Sequence, residues 1–447
     1  MAGALAPVAP PVATPAPATV SHPPTGCTRP GSRPAPTSPA HDMKGTRVYS
    51  NFLIVPDSFK GTMSAIDVCR IMAETLQERF PDAAIRTIPV ADGGEGSVDA
   101  FLAALPGRRM EATVCGPYRE SMTAHYGLLD NGTAVIEMAA AAGLPLVGEN
   151  RHVEKTTTYG VGQLLLDALE HGATRVIMGL GGSATNDGGC GMAAACGVRF
   201  LDETGEAFMP VGETLSHIAR IDMRGLDPRV RDVEIVTMCD IDNPLCGPTG
   251  AAAVFGPQKG ASPSQVRMLD EGLAHLAGVI LSDLRRYVLG VRGGGAAGGM
   301  GAGMVAFFGS PLQMGIQTVL DTVGFDELAR AADLVFSGEG CFDSQSLHGK
   351  VVVGVASRCK QVGTPLIAVA GAIDDTAIPA AVEAGVTHLC CINRTGVPIS
   401  VALKHPRSNL AHTMGLLSEL LATRPLGELP ARIHLRHDGL ANEASEL

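Results

Sequence analysis

From about residue 46 onward, short apolar runs alternate with longer stretches in which apolar residues recur at helical spacing. The apolar runs predict buried strands at 52–56, 84–90, 174–179, 233–238, 333–337, 366–370 and 387–392. The longer stretches predict helices at 64–79, 159–171, 190–196, 263–288 and 410–422. Strands that alternate with helices are typical of an α/β fold in which helices flank a parallel sheet.

Residues 112–138 depart from this alternation, because they hold several short strands joined by glycine-rich turns. They predict a second unit with a mixed sheet. A chain of 447 residues is also longer than one hydrophobic core usually supports, so two domains are expected.

The first 45 residues differ in composition from the rest, with eleven prolines before position 40 among many Ala, Ser and Thr residues. Such a segment cannot build a packed core and is predicted to be disordered. Its scarcity of acidic residues also fits a transit peptide, although the prolines would interrupt an amphipathic helix. An artefact of an upstream start site is the alternative, since Met43 stands just before the first strand.

The net charge and the cysteine pattern limit the partners and the cellular compartment that the sequence predicts. The net charge is −11 and the chain has no basic run, which argues against nucleic acid or an anionic membrane as a partner. The eleven cysteines include no Cys-x-x-Cys pair, so a zinc site is not expected and a reducing, cytoplasmic setting is predicted. The uncharged stretch 293–320 contains nine glycines, so it is expected to form a buried loop and helix rather than a membrane span.

The most informative loop follows the strand predicted at 174–179 and reads Gly179-Leu-Gly-Gly-Ser-Ala-Thr-Asn-Asp-Gly-Gly189. Its glycines let the backbone approach an anion, and the next helix points its partially positive end at the same place. Asp187 is expected at the edge of this anion site, where it can accept a proton. A phosphate cradle beside a base is typical of phosphoryl transfer, whereas a lone glycine loop is often only a tight turn.

Three more predicted strands end in similar loops, at 57–61, 91–96 and 337–340. Each combines glycine with Asp, Glu, Lys or Ser. Because ligands of open α/β sheets bind at the carboxyl ends of the strands, the four loops together predict one ligand site.

Four sequence blocks together resemble the glycerate kinase family, which includes bacterial glycerate 2-kinases. They are Pro56-Asp-Ser-Phe-Lys-Gly61, Ala91-Asp-Gly-Gly-Glu-Gly96, Gly181-Gly-Ser-Ala-Thr-Asn-Asp-Gly-Gly189, and Gly338-Glu-Gly340 with Asp343-Ser-Gln-Ser-Leu-His-Gly-Lys350. Blocks at 239–245, 254–260 and 294–299 add to a likeness that covers roughly residues 50 to 400. The resemblance implies transfer of the γ-phosphoryl group of ATP to D-glycerate with Mg²⁺, and it favours the 2-hydroxyl as acceptor.

The resemblance also implies the domain plan, which is two α/β domains. A discontinuous Rossmann-like domain with a parallel sheet is expected at 46–110 and 295–425. A mixed-sheet α/β domain is expected as an insertion at 111–294, and a tail at 426–447.

Candidate roles follow from the loops and the resemblance. Asp187 is expected to be the general base that takes the proton of the substrate hydroxyl, the alternative being that it caps the following helix. Lys60 is expected to bind the transferring phosphate or the glycerate carboxylate. Substrate or phosphate binding is predicted for Ser58, Asp92, Glu95, Gly181, Gly182, Ser183, Asn186, Asp240 and Lys350.

Other acidic residues are candidates for the metal or the nucleotide. Glu339 and Asp343 are expected to orient a metal ion or the ATP ribose. Asp92 and Glu95 also suit Mg²⁺ or substrate hydroxyls, and they equally suit caps of the next helix.

One position departs from the family pattern. Where the family usually has Gly-Glu-Gly-Arg, this chain has Gly338-Glu339-Gly340-Cys341. Cysteine cannot reproduce the two-pronged contact of arginine with a carboxylate or phosphate. Either a neighbour such as Lys60, Arg292 or Lys350 supplies that charge, or the activity or the substrate preference differs.

Alternative functions have weaker support in the sequence. No Gly-x-x-x-x-Gly-Lys-[Ser/Thr] motif or protein-kinase signature is present, because Gly349-Lys350 is followed by Val351. The loop after Gly179 faintly resembles that of galactokinases and homoserine kinases, which would mean a small-molecule kinase on another fold. A nicotinamide-dependent oxidoreductase and an inactive glycerate-binding homologue are the remaining alternatives.

Overall fold

The computed structural model describes residues 49–91, 93–149, 151–344, 346–348, 350–393, 403–433, 435–436 and 439–440. The strands are β1 (Asn51–Pro56), β2 (Ala84–Thr87), β3 (Gly107–Cys115), β4 (Ser121–Leu129), β5 (Thr133–Glu137), β6 (Arg175–Gly179), β7 (Arg199–Leu201), β8 (Ala207–Phe208), β9 (Arg220–Asp222), β10 (Glu234–Met238), β11 (Leu312–Gln313), β12 (Leu334–Phe342), β13 (Leu366–Ile373), β14 (His388–Cys391), β15 (Arg432–Ile433), β16 (Leu435–Arg436) and β17 (Gly439–Leu440).

The α-helices alternate with these strands. They are α1 (Ala65–Arg79), α2 (Ser97–Ala104), α3 (Ala139–Ala142), α4 (Leu144–Val147), α5 (Tyr159–Glu170), α6 (Cys190–Ala195), α7 (Pro228–Asp232), α8 (Ala251–Phe255), α9 (Pro263–Leu284), α10 (Ala296–Phe308), α11 (Gly315–Thr322), α12 (Phe325–Ala331), α13 (Val351–Val362), α14 (Ile378–Ala384) and α15 (Pro406–Thr423). None of the helices in the described part of the chain is long and apolar enough to cross a membrane.

The first sheet is six-stranded and parallel, in the order β15-β14-β13-β12-β1-β2. Its central strands are almost wholly buried: in β1, every residue after Asn51 is buried. Strands covered by helices on both faces must be apolar along their whole length, which is the pattern that the sequence shows. The predicted parallel sheet is therefore confirmed.

The second sheet is mixed, in the order β11-β10-β6-β5-β4-β3. Strands β3, β4 and β5 pair in antiparallel fashion, whereas β5, β6, β10 and β11 run parallel. This confirms the α/β fold with a parallel and a mixed sheet. Strands β7, β8 and β9 form a small separate sheet.

Sheet membership differs in detail from the expected domain plan. Strand β11 pairs with β10 in the second sheet, although 295–425 was assigned to the first. Strand β15 pairs with β14 in the first sheet, although it lies in the expected tail. Strands of two residues carry no readable periodicity, which is why the pattern could not place them. The domain division remains a proposal, and it would now group 295–313 with the second sheet.

The two sheets share a hydrophobic core. Val55 and Phe342 of the first sheet belong to the same buried cluster as Val135, Ile177 and Met238 of the second. The two sheets are therefore in contact through buried apolar side chains.

Several helix boundaries follow local signals. Helix α1 begins after Ser64, whose Oγ accepts a hydrogen bond from the N–H of Asp67 at 3.1 Å. Helix α9 begins with a capping box between Ser262 and Gln265 and ends at Arg285, which has a positive φ, so it is shorter than predicted. The predicted disorder of residues 1–45 lies outside the described residues.

Candidate active site

Two glycine loops touch each other where strands of the two sheets end. The N–H of Gly181, after β6, donates to the carbonyl oxygen of Gly93, before α2, at 3.0 Å. A Cβ atom on Gly181 would lie 2.4 Å from the Cα of Gly94, so this contact requires glycine. The Gly181 amide, which the sequence predicted to bind the anion, therefore forms a structural hydrogen bond instead. Within the described residues, the N–H groups of Gly182 and Ser183 donate no backbone hydrogen bond outside helices and strands.

A cavity of about 260 Å³ lies against the first of these loops. We call it the glycine-loop cavity. Its lining consists of Leu144, Leu180, Gly181, Gly182, Ser183, Met238, Cys239, Asp240, Ile241, Phe255, Gln258, Lys259, Ala296 and Ala297. Most of these side chains are apolar, so the few polar groups stand out against a hydrophobic wall.

Lys259 is the cation of the glycine-loop cavity and is only 4% exposed. Its Nζ donates to Ser183 Oγ and to the carbonyl oxygen of Thr185, both at 2.8 Å. Burial lowers the pKa of Lys259 to about 7, and the negative charge of Asp187 opposes this shift only in part. Sequence reasoning gave this lysine no role, since a lysine in a Pro-Gln-Lys-Gly turn is usually exposed.

Asp187 lies behind the glycine loop rather than in the cavity. It is fully buried, and its carboxylate accepts hydrogen bonds from Thr158 N and Thr158 Oγ1, each at 2.8 Å. It also accepts from Gly189 N at 3.1 Å and Gly191 N at 3.2 Å. Burial raises its pKa although these donors favour the charged form. The geometry gives the predicted base role no support and corresponds to the alternative, in which Asp187 anchors the loop and caps α6.

A second cavity, of about 440 Å³, lies at the carboxyl ends of the first sheet. We call it the charged cavity. Its lining consists of Asp57, Ser58, Phe59, Lys60, Thr62, Glu339, Gly340, Cys341, Asp343, Lys350, Gly371, Ala372, Ile392, Asn393, Leu403 and Pro406. The structure therefore brings together Ser58, Lys60, Glu339, Asp343 and Lys350, which the sequence predicted for one site.

Glu339 is the carboxyl group of the charged cavity whose pKa is most strongly shifted. Strand β12 continues to Phe342, so Glu339 lies on the strand rather than in the loop that was predicted after Ser337. The residue is 5% exposed, and its Oε1 has no hydrogen-bond partner within the described residues. Burial raises the pKa of Glu339 to about 7, against the hydrogen bond from Ser346. A carboxylate with one open oxygen and a pKa near neutrality is suited to proton transfer.

Cys341 is exposed at the rim of the charged cavity, and its Sγ lies 3.9 Å from Asp343 Oδ2. Of the three residues considered as substitutes for arginine here, Lys60 and Lys350 line the same cavity. Arg292 does not, because it pairs with Asp242 at 2.7 Å on an exposed surface.

Glu95 lies beside the charged cavity, in an adjoining depression that it shares with Asp57 and Ser58. It does not provide the side-chain cap of α2. That role belongs to Glu137, whose Oε1 accepts from the N–H of Val98 at 2.7 Å. Asp92, its predicted partner, lies outside the described residues.

Two further predicted residues differ in accessibility. Asp240 lines the glycine-loop cavity, and its Oδ1 accepts from the N–H of Gly315 at 2.7 Å. Asn186 is buried outside both linings, and its Nδ2 has no hydrogen-bond partner within the described residues. In that same part of the chain, no group of three or more His, Cys, Asp or Glu side chains is arranged to hold a metal ion.

Comparison with known proteins identifies the family. The profile of the glycerate kinase family matches residues 52–422. The chain belongs to the glycerate kinase family. It is 48% identical over 326 residues to a glycerate kinase of Halalkalibacterium halodurans, a match that covers 72% of this chain and 86% of the relative. It is 46% identical over 338 residues to the glycerate 2-kinase of Escherichia coli, covering 75% of this chain and 87% of that protein.

The fold agrees with this assignment. The crystal structure described as glycerate kinase 2 from Salmonella typhimurium LT2 matches with a TM-score of 0.75 and 41% sequence identity, over 83% of this chain and 98% of that one. The enzyme class predicted from the four glycerate kinase blocks is confirmed, and the family supports phosphorylation of glycerate. These comparisons lend no support to the nicotinamide-dependent alternative.

Proposed function

We propose that this protein transfers the γ-phosphoryl group of ATP to D-glycerate and forms 2-phosphoglycerate. The observation that carries the proposal is the contact between Gly181 and Gly94. It joins a glycine loop suited to phosphate to the loop of Glu95, which borders a cavity of lysines and carboxylates. A donor site and an acceptor site side by side are what phosphoryl transfer requires.

Glycerate is proposed to bind in the charged cavity. Lys60 and Lys350 offer cationic groups to the carboxylate of glycerate and to the transferred phosphoryl group. Ser58 offers a hydroxyl group that can form hydrogen bonds with the hydroxyls of glycerate. We assign the base to Glu339 instead of Asp187, because Glu339 lines the cavity and its buried Oε1 has no hydrogen-bond partner within the described residues. The glycerate hydroxyl gives its proton to Glu339 while its oxygen bonds to the γ-phosphorus, and the bond from that phosphorus to the ADP oxygen breaks.

Mg²⁺ is proposed to enter with the nucleotide. Mg²⁺ commonly uses one or two carboxylates together with phosphate oxygens rather than a complete protein cage. Asp240, the carboxylate of the glycine-loop cavity, would hold it. The ion would neutralise the charge of the phosphate groups.

The direct test is Mg-ATP turnover by the full chain, with ³¹P NMR to identify the product. D-glycerate is expected to give 2-phosphoglycerate. D-lactate, which lacks the 3-hydroxyl, should be phosphorylated weakly, and 3-hydroxypropionate, which lacks the 2-hydroxyl, should not be phosphorylated. A 3-phosphoglycerate signal would overturn the position of transfer, and the absence of any phosphorylated product from folded protein would overturn the activity.

A further inference from the structure

We infer that the glycine-loop cavity is the nucleotide site of this enzyme, and that Lys259 is the residue that binds the nucleotide phosphates there. The inference rests on the proposed kinase function and adds to it a division of the two substrates between the two cavities. Three independent features of the cavity lead to it.

The first feature is a buried charge that Asp187 compensates only in part. Lys259 is 4% exposed, and its hydrogen bonds within the described residues involve no carboxylate. Its two hydrogen-bond acceptors, Ser183 Oγ and Thr185 O, are neutral. The nearby carboxylate of Asp187 is already occupied by four donors. A buried ammonium group without a contacting anion is costly, so an anionic ligand is the natural complement of this site.

The second feature is a free donor set. An ammonium group has three N–H donors, and the two acceptors above occupy two of those of Lys259. The third has no acceptor within the described residues, and Lys259 lines a cavity together with Gly182 and Ser183, whose N–H groups donate no backbone hydrogen bond outside helices and strands in that part of the chain. Backbone N–H groups with one lysine ammonium group are a set that matches phosphate oxygens.

The third feature is a rigid frame around these donors. Ala297 lines the cavity with a φ of 54°, a conformation that residues with a side chain rarely adopt. A Cβ atom on Gly298 would lie 2.0 Å from the carbonyl oxygen of Thr185, so the strained turn packs directly against the glycine loop. The backbone beside Lys259 accepts a further hydrogen bond, because Arg151 Nη1 donates to the carbonyl oxygen of Gln258 at 2.6 Å. These contacts restrain the loops that carry the donors.

The apolar wall decides which substrate the cavity takes. Leu144, Met238, Ile241 and Phe255 offer a surface for an aromatic base. Glycerate is small and polar throughout, so it has no apolar surface to pack against this wall. A nucleotide has both a polyphosphate for the donors and a flat ring for the apolar surface. The charged cavity, with its lysines and carboxylates, is then left for the acceptor.

Calorimetric titration of the intact enzyme tests this division with four probes: Mg-ADP, inorganic tripolyphosphate, adenosine and D-glycerate. In Lys259→Met, the affinity for Mg-ADP and for tripolyphosphate should fall by about 10- to 100-fold, the range for a lost charged hydrogen bond. Adenosine and D-glycerate affinities should stay within about twofold, since neither ligand presents a phosphate to Nζ. Lys360→Met, at an exposed lysine of α13, is the matched control and should leave all four unchanged.

Unchanged tripolyphosphate affinity in folded Lys259→Met, or a selective loss of D-glycerate binding, would overturn the inference. If that variant does not fold, Ser183→Ala provides the second test, because it removes the hydroxyl that orients Nζ while the charge is kept. It should weaken tripolyphosphate binding by about threefold to tenfold, and no change would count against the inference. A wild-type protein that binds Mg-ADP but does not phosphorylate glycerate would overturn the proposed function alone.

Discussion

The two cavities lie at equivalent places, each at the carboxyl ends of parallel strands, but they differ in the number of charged side chains. The glycine-loop cavity has one lysine, Lys259, and one carboxylate, Asp240, among mostly apolar walls. The charged cavity brings together two lysines and three carboxylates. A mostly apolar cavity with a lysine and backbone donors suits a polyphosphate. A cavity with several charged side chains can distinguish the hydroxyl and carboxyl groups of a small acid.

The same contrast separates the two buried carboxylates. Asp187 accepts four hydrogen bonds, whereas Glu339 has an oxygen without a partner in the described chain. A saturated carboxylate stabilises a loop, whereas a buried oxygen without a partner beside a cavity is a candidate for proton transfer. Burial alone therefore does not distinguish a structural acid from a reactive one.

The sharpest test of this contrast is Glu339→Gln. Loss of the base should lower the kcat for glycerate by about 10²- to 10⁴-fold, with the glycerate KM changed far less. The pH profile is the specific readout. Because the pKa of Glu339 is raised to about 7, wild-type activity should fall as the pH drops below about 7, and the variant should lose that dependence.

The exposed Glu383→Gln on α14 is the control for this change and should keep both the rate and the pH profile. A variant at Glu339 that retains the acidic limb would show that another group carries the proton.

Asp187→Asn tests the structural member of the pair. The amide would present its NH₂ group to N–H and O–H donors, so the free energy of unfolding should fall by about 2–4 kcal/mol, measured by urea denaturation. At a temperature where the variant is folded, its kcat should remain within about tenfold of wild type. The exposed Asp130→Asn should change neither quantity. A loss of turnover above 10³-fold at unchanged stability would restore Asp187 as the base.

Glu339 also predicts a pH dependence of stability. Its folded-state pKa lies above the value in an unfolded chain, so its contribution to stability is complete below about pH 4.5 and is lost as the pH rises through about 7. Between pH 5 and pH 8, wild type should therefore lose up to about 3 kcal/mol relative to Glu339→Gln. Urea denaturation at both pH values measures the difference. A constant difference would mean that Glu339 keeps its usual pKa.

Cys341→Arg should produce the smallest effect. An arginine at the rim of the charged cavity could grip the carboxylate of glycerate, so the glycerate KM should fall by about tenfold while the ATP KM stays unchanged. Cys341→Ser is the matched control and should behave like wild type. An effect confined to the ATP KM would contradict the assignment of the two substrates to the two cavities.

Much of the fold and part of the site could be predicted from the sequence, because the patterns that determine them lie in short segments of the chain. Apolar runs covered by helices located the central strands, and the motifs after β1 and β12 brought Lys60, Glu339 and Lys350 to one cavity. Lys259 is bonded to the glycine loop more than seventy residues earlier in the chain, so the sequence around Lys259 does not predict its burial. The inward orientation of Asp187 depends likewise on Thr158, twenty-nine residues earlier in the chain.

The backbone contact between the two glycine loops also limits how this enzyme can be altered. A Cβ atom on Gly179 would lie 2.4 Å from the carbonyl oxygen of Gly93, and one on Gly181 would lie as close to the Cα of Gly94. No side chain of any size fits there without separating the loops. Directed evolution toward new acceptor molecules should therefore leave these glycines fixed and vary the rim of the charged cavity, where Cys341 is exposed.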